Sequence, residues 1–325
     1  MSVNRKVITK NAYRITKTRG KTALRIRVPG GFLEAKYFSL IQSIAEEYGD
    51  GTIHITTRQG FEIPLIDFEK IPEINQKIRP LIESLGLDMI VTNDGYPAAG
   101  TRNISACIGD KVCPFANDNT TRIAKRLEKT CYPHDFHFKI AVTGCPNDCI
   151  KAHMQDFGII CTTEPQYEVS RCISCESCIK NCKKKVTGAL SLQNFNVVRD
   201  SEKCIGCGEC VLQCPTGAWT RSESPFYRMV IMGRTGKKNP RMARPFMKWA
   251  SEDVIVQVIK NTYDFVDRYI DRDLTKEHIG YIVDRVGYQT FKKEVLMNVE
   301  LNKEIQIAEN IQWDGYEYKT DIQFR

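Results

Sequence analysis

The spacing of apolar residues predicts strands and helices in turn along the first part of the chain. Residues 24–28 alternate between apolar side chains and arginines, which predicts a half-buried strand ending at the Pro-Gly-Gly of 29–31. A helix follows, and its apolar stripe consists of Tyr37, Leu40, Ile41, Ile44, Ala45 and Tyr48. Two more strands are predicted, one over 53–55 and one that runs through Phe61, Ile63 and Leu65. With a second helix over 71–85, this order is most of a split βαβ, ferredoxin-like unit.

The same reasoning places elements along the rest of the chain. Residues 118–129 predict a helix, and the alternation of residues 138–142 predicts a strand. Residues 226–232 are apolar enough for a buried strand, and a helix with one apolar side begins near Ser251. A final helix is expected over 277–295. The predicted fold class is therefore α+β.

Composition limits the class of protein. The 325 residues, 42% of them hydrophobic and 26% charged, suit two or three globular domains. The net charge of +8 suits an anionic substrate or cofactor and acidic protein partners, and is too diffuse to predict a nucleic-acid partner. Neither a transmembrane run nor a signal peptide is evident, so we expect no membrane partner and a cytoplasmic location. Fourteen cysteines then predict metal sites rather than disulfides.

Four of these cysteines form two close pairs near the middle of the chain. Cys107 and Cys113 belong to one predicted loop, and Cys145 and Cys149 follow the strand of residues 138–142. Four thiolates from two loops can close around one soft metal centre, and a cubane [4Fe–4S] cluster fits this donor set best. A zinc site, or a cluster with no further cofactor, is the alternative that the spacing leaves open.

Eight further cysteines form two runs with the same spacing, C-x2-C-x2-C-x3-C. The runs are Cys172, Cys175, Cys178 and Cys182, then Cys204, Cys207, Cys210 and Cys214. They resemble bacterial ferredoxins with two [4Fe–4S] clusters, in which the fourth cysteine of each run binds the other cluster. One cluster is then bound by Cys172, Cys175, Cys178 and Cys214, and the other by Cys204, Cys207, Cys210 and Cys182. Zinc fits this density poorly, and we expect the clusters to hold the segment 164–224 together.

The sequence around the central cysteines carries a second resemblance. Cys145 and Cys149 stand in TGCPNDC, and a PGG, a helix and TTRQ precede them in that order. This arrangement resembles the sulfite and nitrite reductase family, and the resemblance covers about residues 20–295. In that family the cubane is coupled to a sirohaem, which implies that Cys149 bridges the cluster and the haem iron. The cofactors expected are therefore a sirohaem and three [4Fe–4S] clusters.

The resemblance also implies a domain order. A ferredoxin-like amino-terminal half-domain is expected at 1–90. A sirohaem-binding α/β half-domain is expected at 91–163 and 225–325, interrupted by an inserted two-cluster ferredoxin domain at 164–224. One pair of half-domains with this insertion is typical of the anaerobic members of the family.

A basic loop follows the predicted strand of residues 226–232. It reads GRTGKKNPR, and its four cations are Arg234, Lys237, Lys238 and Arg241. Sirohaem carries eight carboxylates, so a basic loop with two glycines suits its binding, and the family has a similar loop late in its sequence. Taken alone, the loop is also compatible with a solvated basic turn.

The resemblance implies four residues for anion binding and proton supply. Family arginines in TTRQ and in the RN before the first cysteine pair correspond to Arg58 and Arg102, and a lysine of the K-F-K pattern corresponds to Lys139. The first lysine of that pattern is His137 here, which is cationic only at lower pH unless nearby anions raise its pKa. We expect Arg58, Arg102 and Lys139 to bind the anionic substrate, and His137 to donate protons. A solvated or salt-bridged role is the alternative for each.

The function implied by the resemblance is the six-electron reduction of sulfite to sulfide. Electrons are expected from partner subunits that carry flavin and further iron–sulfur clusters. No G-x-G-x-x-G motif follows a predicted strand here, which fits a subunit that binds neither flavin nor nicotinamide. Two alternatives remain: a sirohaem nitrite reductase, which the cysteine pattern does not separate from a sulfite reductase, and a non-enzymatic electron carrier with several clusters.

Overall fold

The computed structural model describes residues 12–86, 103–132, 136–236, 240–274 and 277–313. The strands are β1 Tyr13–Ile15, β2 Lys21–Ile26, β3 His54–Ile55, β4 Phe61–Asp67, β5 Ser105–Ala106, β6 Ile140–Thr143, β7 Phe157–Thr162, β8 Gln166–Tyr167, β9 Leu190–Gln193, β10 Asn196–Arg199, β11 Trp219–Thr220, β12 Phe226–Ile231, β13 Arg244–Ala250 and β14 Gln306–Ile307. The α-helices are α1 Phe38–Tyr48, α2 Ile71–Ser84, α3 Thr120–Cys131, α4 Ser177–Lys185, α5 Glu209–Gln213, α6 Glu252–Tyr269, α7 Ile279–Val286 and α8 Tyr288–Val295. None of the helices in the described ranges is long and apolar enough to cross a membrane.

The chain forms two compact units, each built from three separate segments. The first unit contains Met1–Ala106, Thr121–Ile140 and Ile259–Met297. The second unit contains the remaining segments, which are Cys107–Thr120, Ala141–Val258 and Asn298–Arg325. Both units mix helices and strands, as the sequence predicts. The expected boundaries at residues 90, 163 and 224 stay predictions.

A four-stranded antiparallel sheet lies in the first unit, in the order β1-β2-β4-β3. Helices α1 and α2 each have one apolar face, which they bury in the core of this unit. The buried core residues are Ala12, Tyr13, Leu24, Ile26, Ile41, Ile44, Ala45, Ile63, Ile66, Ile71, Ile74, Ile78, Leu81 and Ile82. The predicted strand–helix–strand–strand–helix order is present, with β1 added at its start.

A bulge in β4 reverses its inward and outward faces. Ile63 is buried, but Leu65 has a positive φ of 58° and is 38% exposed. The register against β2 shifts here, and Ile66 takes the next buried position. Ile63 and Leu65, two residues apart, therefore do not share a face of the strand, because one extra residue inverts the alternation.

Arg27 is buried, although the alternation of residues 24–28 predicts that it faces solvent. Strand β2 ends at Ile26, and the Arg27 side chain, 2% exposed, forms an ion pair with the buried Glu128 of α3. Its guanidinium also lies over the ring of Tyr132, 5.6 Å from the centroid. The charge is compensated by a helix about a hundred residues later in the chain, which local alternation cannot reveal.

The helix predicted over 277–295 is two helices. Helices α7 and α8 meet at Gly287, whose φ of 97° lies outside the helical region. Each helix buries its own apolar residues, so the apolar stripe continues across the break. A stripe of this kind therefore predicts one helix where the backbone forms two.

The second unit contains strands that neighbour one another in the order β14-β13-β12-β7-β6. Strand β12 pairs antiparallel with both β7 and β13. The sequence pattern does not predict β7, because every residue of this strand is buried and no alternation marks it. A small core cluster of this unit contains Ala141, Ala152, Ile160, Val230 and Ala243.

The segment with the two cysteine runs, which we call the insert, belongs to the second unit and lies between strands β7 and β12 of its sheet. Strands β8 and β11 pair antiparallel and bring its two ends together. Between them lie the hairpin β9–β10 and helices α4 and α5. Its buried core residues are Cys178, Ile179, Leu190, Val197 and Trp219. Four more cysteines pack against them, so thiols occupy positions that apolar side chains fill in larger domains.

Candidate functional site

Cys107, Cys113, Cys145 and Cys149, here called the central set, come together in the second unit. The Cys107 N–H donates to the Val142 carbonyl at 3.1 Å, which holds the loop of the first pair against the strand that leads to the second pair. The pKa of Cys145 is raised, chiefly by burial, and negative charge on the other three thiols adds to this. All three therefore lie within electrostatic reach of Cys145.

Gly144 forms the turn between β6 and the second cysteine pair. Its N–H donates to Cys107 Sγ at 3.0 Å, and the Thr143 hydroxyl lies 4.0 Å from the same sulfur. A Cβ at Gly144 would stand 2.9 Å from Ala116 Cβ, so the packing here admits only glycine without a shift. Both contacts are made to the Cys107 sulfur, and the thiolate is the form of a cysteine that binds metal.

Cys149 is exposed and follows a residue in the left-handed region. That residue, Asp148, accepts the N–H groups of Ala152 at 2.5 Å and His153 at 3.1 Å, and its carboxylate pairs with His153 Nδ1 at 2.7 Å. Burial raises the pKa of Asp148, but the contacts led by the His153 side chain outweigh burial and hold it below its usual value. This carboxylate closes the turn that presents Cys149.

The two described cations of the basic loop, Arg234 and Arg241, are buried, with exposures of 4% and 6%. The Arg234 N–H donates to the Arg241 carbonyl at 3.0 Å and so closes the loop. The Arg241 guanidinium lies over the ring of Trp313, 4.8 Å from the centroid. Buried guanidinium groups can donate paired hydrogen bonds to the carboxylates of a cofactor.

The basic loop packs against the turn that follows Cys149. The Ala243 N–H donates to the His153 carbonyl at 2.7 Å. A Cβ at Gly233 would stand 2.6 Å from the same oxygen, so this close approach requires glycine. Two predicted cofactor-binding residues lie outside the described residues, namely Lys237 and Lys238.

The eight cysteines of the insert lie in two groups. We call Cys172, Cys175, Cys178 and Cys214 the outer set, and Cys182, Cys204, Cys207 and Cys210 the inner set. In the outer set, burial raises the pKa of Cys178, and negative charge on Cys214 adds to the effect. In the inner set, burial raises the pKa of Cys207 to about 11, with smaller contributions from Cys204 and Cys182. The fourth cysteine of each run thus lies with the other run, and the ligand roles stay predictions.

The two sets differ in their surroundings. The inner set lines a cavity, together with residues such as Pro165, Ala189 and Leu190. In the outer set, Cys175 is exposed, while backbone N–H groups donate to two of the sulfurs. These bonds run from Ser174 to Cys172 Sγ at 3.4 Å and from Ala218 to Cys214 Sγ at 3.2 Å. Hydrogen bonds to sulfur of this kind tune the potentials of iron–sulfur clusters, so these two contacts are compatible with a cluster in the outer set.

Among the described residues, no three His, Cys, Asp or Glu side chains gather closely enough to hold a single metal ion. A cubane places each thiolate on a different iron, so its ligands are spread around the cluster. Cys131 and Cys161 are buried outside all three sets, and burial raises the pKa of Cys131 to about 12.

Arg58 is half-buried in the first unit and holds two backbone segments. Its Nε and Nη2 donate to the Asn103 carbonyl at 3.0 and 2.8 Å, and Nη2 also donates to the Ile140 carbonyl at 2.9 Å. The neighbouring Gln59 exchanges hydrogen bonds with the backbone of Ala106, at 2.8 and 2.7 Å. The TTRQ turn is therefore fixed to the segment that runs into Cys107.

The two remaining described candidates, His137 and Lys139, are half-buried and also belong to the first unit. The His137 ring meets the buried His278 ring edge-on, with centroids 4.9 Å apart. Lys139 directly precedes Ile140, whose carbonyl accepts from Arg58. The structure thus brings Arg58 to the first residue of β6, directly after Lys139. Arg102 lies outside the described residues.

Two domains of one known protein family together match nearly all of these elements. Residues 14–81 match the nitrite/sulfite reductase ferredoxin-like half domain, and residues 98–304 match the nitrite and sulphite reductase 4Fe-4S domain. The chain therefore belongs to the nitrite and sulfite reductase family. This confirms the resemblance inferred from the PGG, TTRQ and TGCPNDC motifs.

Relatives with known names agree with this membership. A subunit of the anaerobic sulfite reductase of Salmonella typhimurium is 41% identical over 313 residues, which cover 95% of this chain and 93% of that one. The coenzyme F420-dependent sulfite reductase of Methanocaldococcus jannaschii is 30% identical over 87% of this chain and 44% of its own. The crystal structure of dissimilatory sulfite reductase I shares the fold, with a TM-score of 0.66 and 15% identity over 92% of this chain and 74% of that chain.

Proposed function

We propose that this chain is the catalytic subunit of a sirohaem-dependent sulfite reductase. Sulfite takes up six electrons and six protons and yields sulfide and three waters. The observation that carries this proposal is the exposed Cys149 beside a loop with two buried arginines, in a chain 41% identical to a sulfite reductase subunit over 95% of its length. The relatives named above are sulfite reductases, which favours sulfite over nitrite as the substrate.

The central set is the proposed binding site of one [4Fe–4S] cluster, and Cys149 the thiolate shared with the haem iron. The buried Arg234 and Arg241, with Lys237 and Lys238, are the proposed partners of the sirohaem carboxylates. When bound, the sirohaem would supply the iron redox chemistry for the reduction of sulfite. The packing of the basic loop against the turn after Cys149 supports this division of roles.

Fixed positive charge and protons are the other requirements of the reaction, because the substrate is an anion that loses its oxygens as water. Arg58, Arg102 and Lys139 are proposed to hold that anion, with His137 as a proton donor. The hydrogen bonds from Arg58 to two carbonyl oxygens fix its guanidinium in place, which suits a preorganised cation.

The insert is proposed to hold two further [4Fe–4S] clusters, one in each of its cysteine sets, and to receive electrons from partner subunits with flavin and iron–sulfur centres. Its thiol-rich core, the N–H groups aimed at sulfur and the cavity lined by the inner set support this assignment. The chain then has three clusters in all. A carrier of electrons without catalysis would leave the basic loop and the central set without a use.

Changing Cys178 to serine tests the insert as the electron entry path. Sulfite reduction driven by the natural donor should fall far more than reduction driven by a small dye that reaches the haem directly, and the sirohaem spectrum should stay. Cys131→Ala is the matched control, because this buried thiol lies outside all three sets. Equal losses with both donors would show that the insert is not the electron entry path. Absence of chlorin-type absorption from fully loaded protein would show that sirohaem is not the cofactor.

A further inference from the structure

Asn117 lies where the loop after Cys113 meets two other cysteine-bearing loops of the second unit. Its N–H donates to the Gly144 carbonyl at 2.7 Å, next to Cys145. Its side-chain Nδ2 lies 3.4 Å from the Cys207 carbonyl, in the inner set, and 3.4 Å from the Cys161 carbonyl in β7. One residue thus contacts backbone from the central set, the inner set and the sheet.

An arginine at the end of the insert holds Asn117 from the other side. Arg221 Nε donates to Asn117 Oδ1 at 3.1 Å, and Arg221 Nη2 donates to the Pro114 carbonyl at 3.0 Å. A Cβ at Gly208 would stand 2.7 Å from Asn117 Oδ1. The loop that carries Cys204 and Cys207 therefore approaches the Asn117 side chain as closely as glycine allows. The contact therefore leaves little freedom in the spacing of the two loops.

The inner set is the one that faces this junction. Two more bonds hold its loop on the second unit, from the Thr163 N–H to the Gly206 carbonyl at 3.0 Å and from Arg228 Nη2 to the Ile205 carbonyl at 3.3 Å. The exposed Cys175, in contrast, belongs to the outer set. The loop of the inner set is thus held to Thr163 and Arg228, whereas the outer set includes an exposed cysteine.

We propose that Asn117, held by Arg221, is a positioning residue that fixes the spacing between the inner set and the central set. This rests on the proposed function. Each transfer would move one electron from the cluster of the inner set to the cluster of the central set. The inner cluster is then oxidised by one electron and the central cluster is reduced by one electron, and no atom is exchanged. Electron tunnelling falls steeply with distance, so a looser junction slows this step and leaves the chemistry on sulfite unchanged.

The test compares Asn117→Ala with Asn302→Ala in the holoenzyme. Asn302 also holds backbone of the second unit, accepting from the Ser251 N–H at 2.9 Å and donating to the Trp249 carbonyl at 2.8 Å, and neither of these bonds is made to a cysteine-bearing loop. With Asn117→Ala, donor-driven sulfite reduction should fall several-fold, because electron tunnelling slows as the spacing between the inner set and the central set grows. Dye-driven reduction, iron content and the sirohaem spectrum should stay normal, and Asn302→Ala should leave both rates unchanged.

A readout that does not depend on turnover is the magnetic interaction between the reduced centres, seen in electron paramagnetic resonance. It should weaken in Asn117→Ala and persist in Asn302→Ala. Arg221→Gln is the second variant, should Asn117→Ala fail to load iron, and it should give the same split between donors. A normal donor-driven rate, an unchanged magnetic interaction, or an equal fall with the dye would overturn the positioning role. If the wild-type protein reduces no sulfite with either donor, the proposed function fails, and the magnetic measurement still decides the positioning.

Discussion

Arg58 and Asn103 hold each other by reciprocal hydrogen bonds between side chain and backbone. The guanidinium donates to the Asn103 carbonyl at 2.8 Å, and Asn103 Nδ2 donates to the Arg58 carbonyl at 2.7 Å. The same Nδ2 also donates to the Val28 carbonyl at 2.9 Å. Three segments of the first unit thus meet at one amide, and the position of a proposed substrate-binding cation depends on it.

Asn103→Ala should lower the free energy of unfolding by about 1–3 kcal/mol, because the buried Val28 carbonyl and the part-buried Arg58 carbonyl lose their donor. Denaturant unfolding of the loaded protein measures this loss. Asn196→Ala is the control, since this asparagine is exposed on β10 and should change stability by less than about 0.5 kcal/mol. Equal stability of the two variants would contradict the structural role of Asn103.

Lys139→Met and Arg102→Ala should each lower sulfite reduction on the order of 100-fold, because each removes a proposed cation that stabilises the transition state. Iron content and the sirohaem spectrum should remain those of the wild type. The control is Lys180→Met, which removes an exposed lysine on α4. Near-normal turnover in a fully loaded variant would exclude the changed residue from the anion site.

Cys149→Ser should disturb two cofactors at once, because the proposed bridging thiolate is shared by the haem iron and the central cluster. Absorption spectra report the haem, and electron paramagnetic resonance reports the cluster. The outcome that would contradict the bridge is loss of cluster iron with an unchanged haem spectrum.

Gly144→Ala should remove iron from the central set and leave the iron of the insert in place. The added Cβ would stand 2.9 Å from Ala116 Cβ, and the shift would displace the N–H that donates to Cys107 Sγ. Gly51→Ala is the comparison, and it should leave the iron content unchanged. Gly51 has a φ of +79°, so alanine strains the backbone there, but no atom lies within 4 Å of the new Cβ. Wild-type iron content in Gly144→Ala would show that this packing tolerates a methyl group.

Local periodicity predicted those elements whose signal lies within a few residues. The stripe from Tyr37 to Tyr48 predicts α1, which spans Phe38–Tyr48, and 71–85 predicts α2, which spans Ile71–Ser84. The errors lie where the backbone departs from a regular period. A bulge turns Leu65 outward and Gly287 divides the last helix, and neither interrupts the apolar pattern along the sequence.

The candidate site divides in the same way. The spacing of the cysteines predicts how the insert thiols are grouped, because thiolates three residues apart can reach adjacent corners of one cluster. Asn117 has no such signal, since its partner Arg221 is 104 residues away. The Arg58–Asn103 pair spans 45 residues and shares this limit. Side chains whose partners are so distant become recognisable only in the folded chain.

The order in which the two units are completed follows from their interleaved segments. During synthesis the first unit is incomplete until Ile259–Met297 has been made, and the second unit is incomplete until Asn298–Arg325 has been made. The insert is contiguous, and all eight of its cysteines emerge from the ribosome before either unit has its last segment. A chain that stops before Ile259 would therefore carry the entire insert on two unfinished units, with apolar surface exposed to proteases.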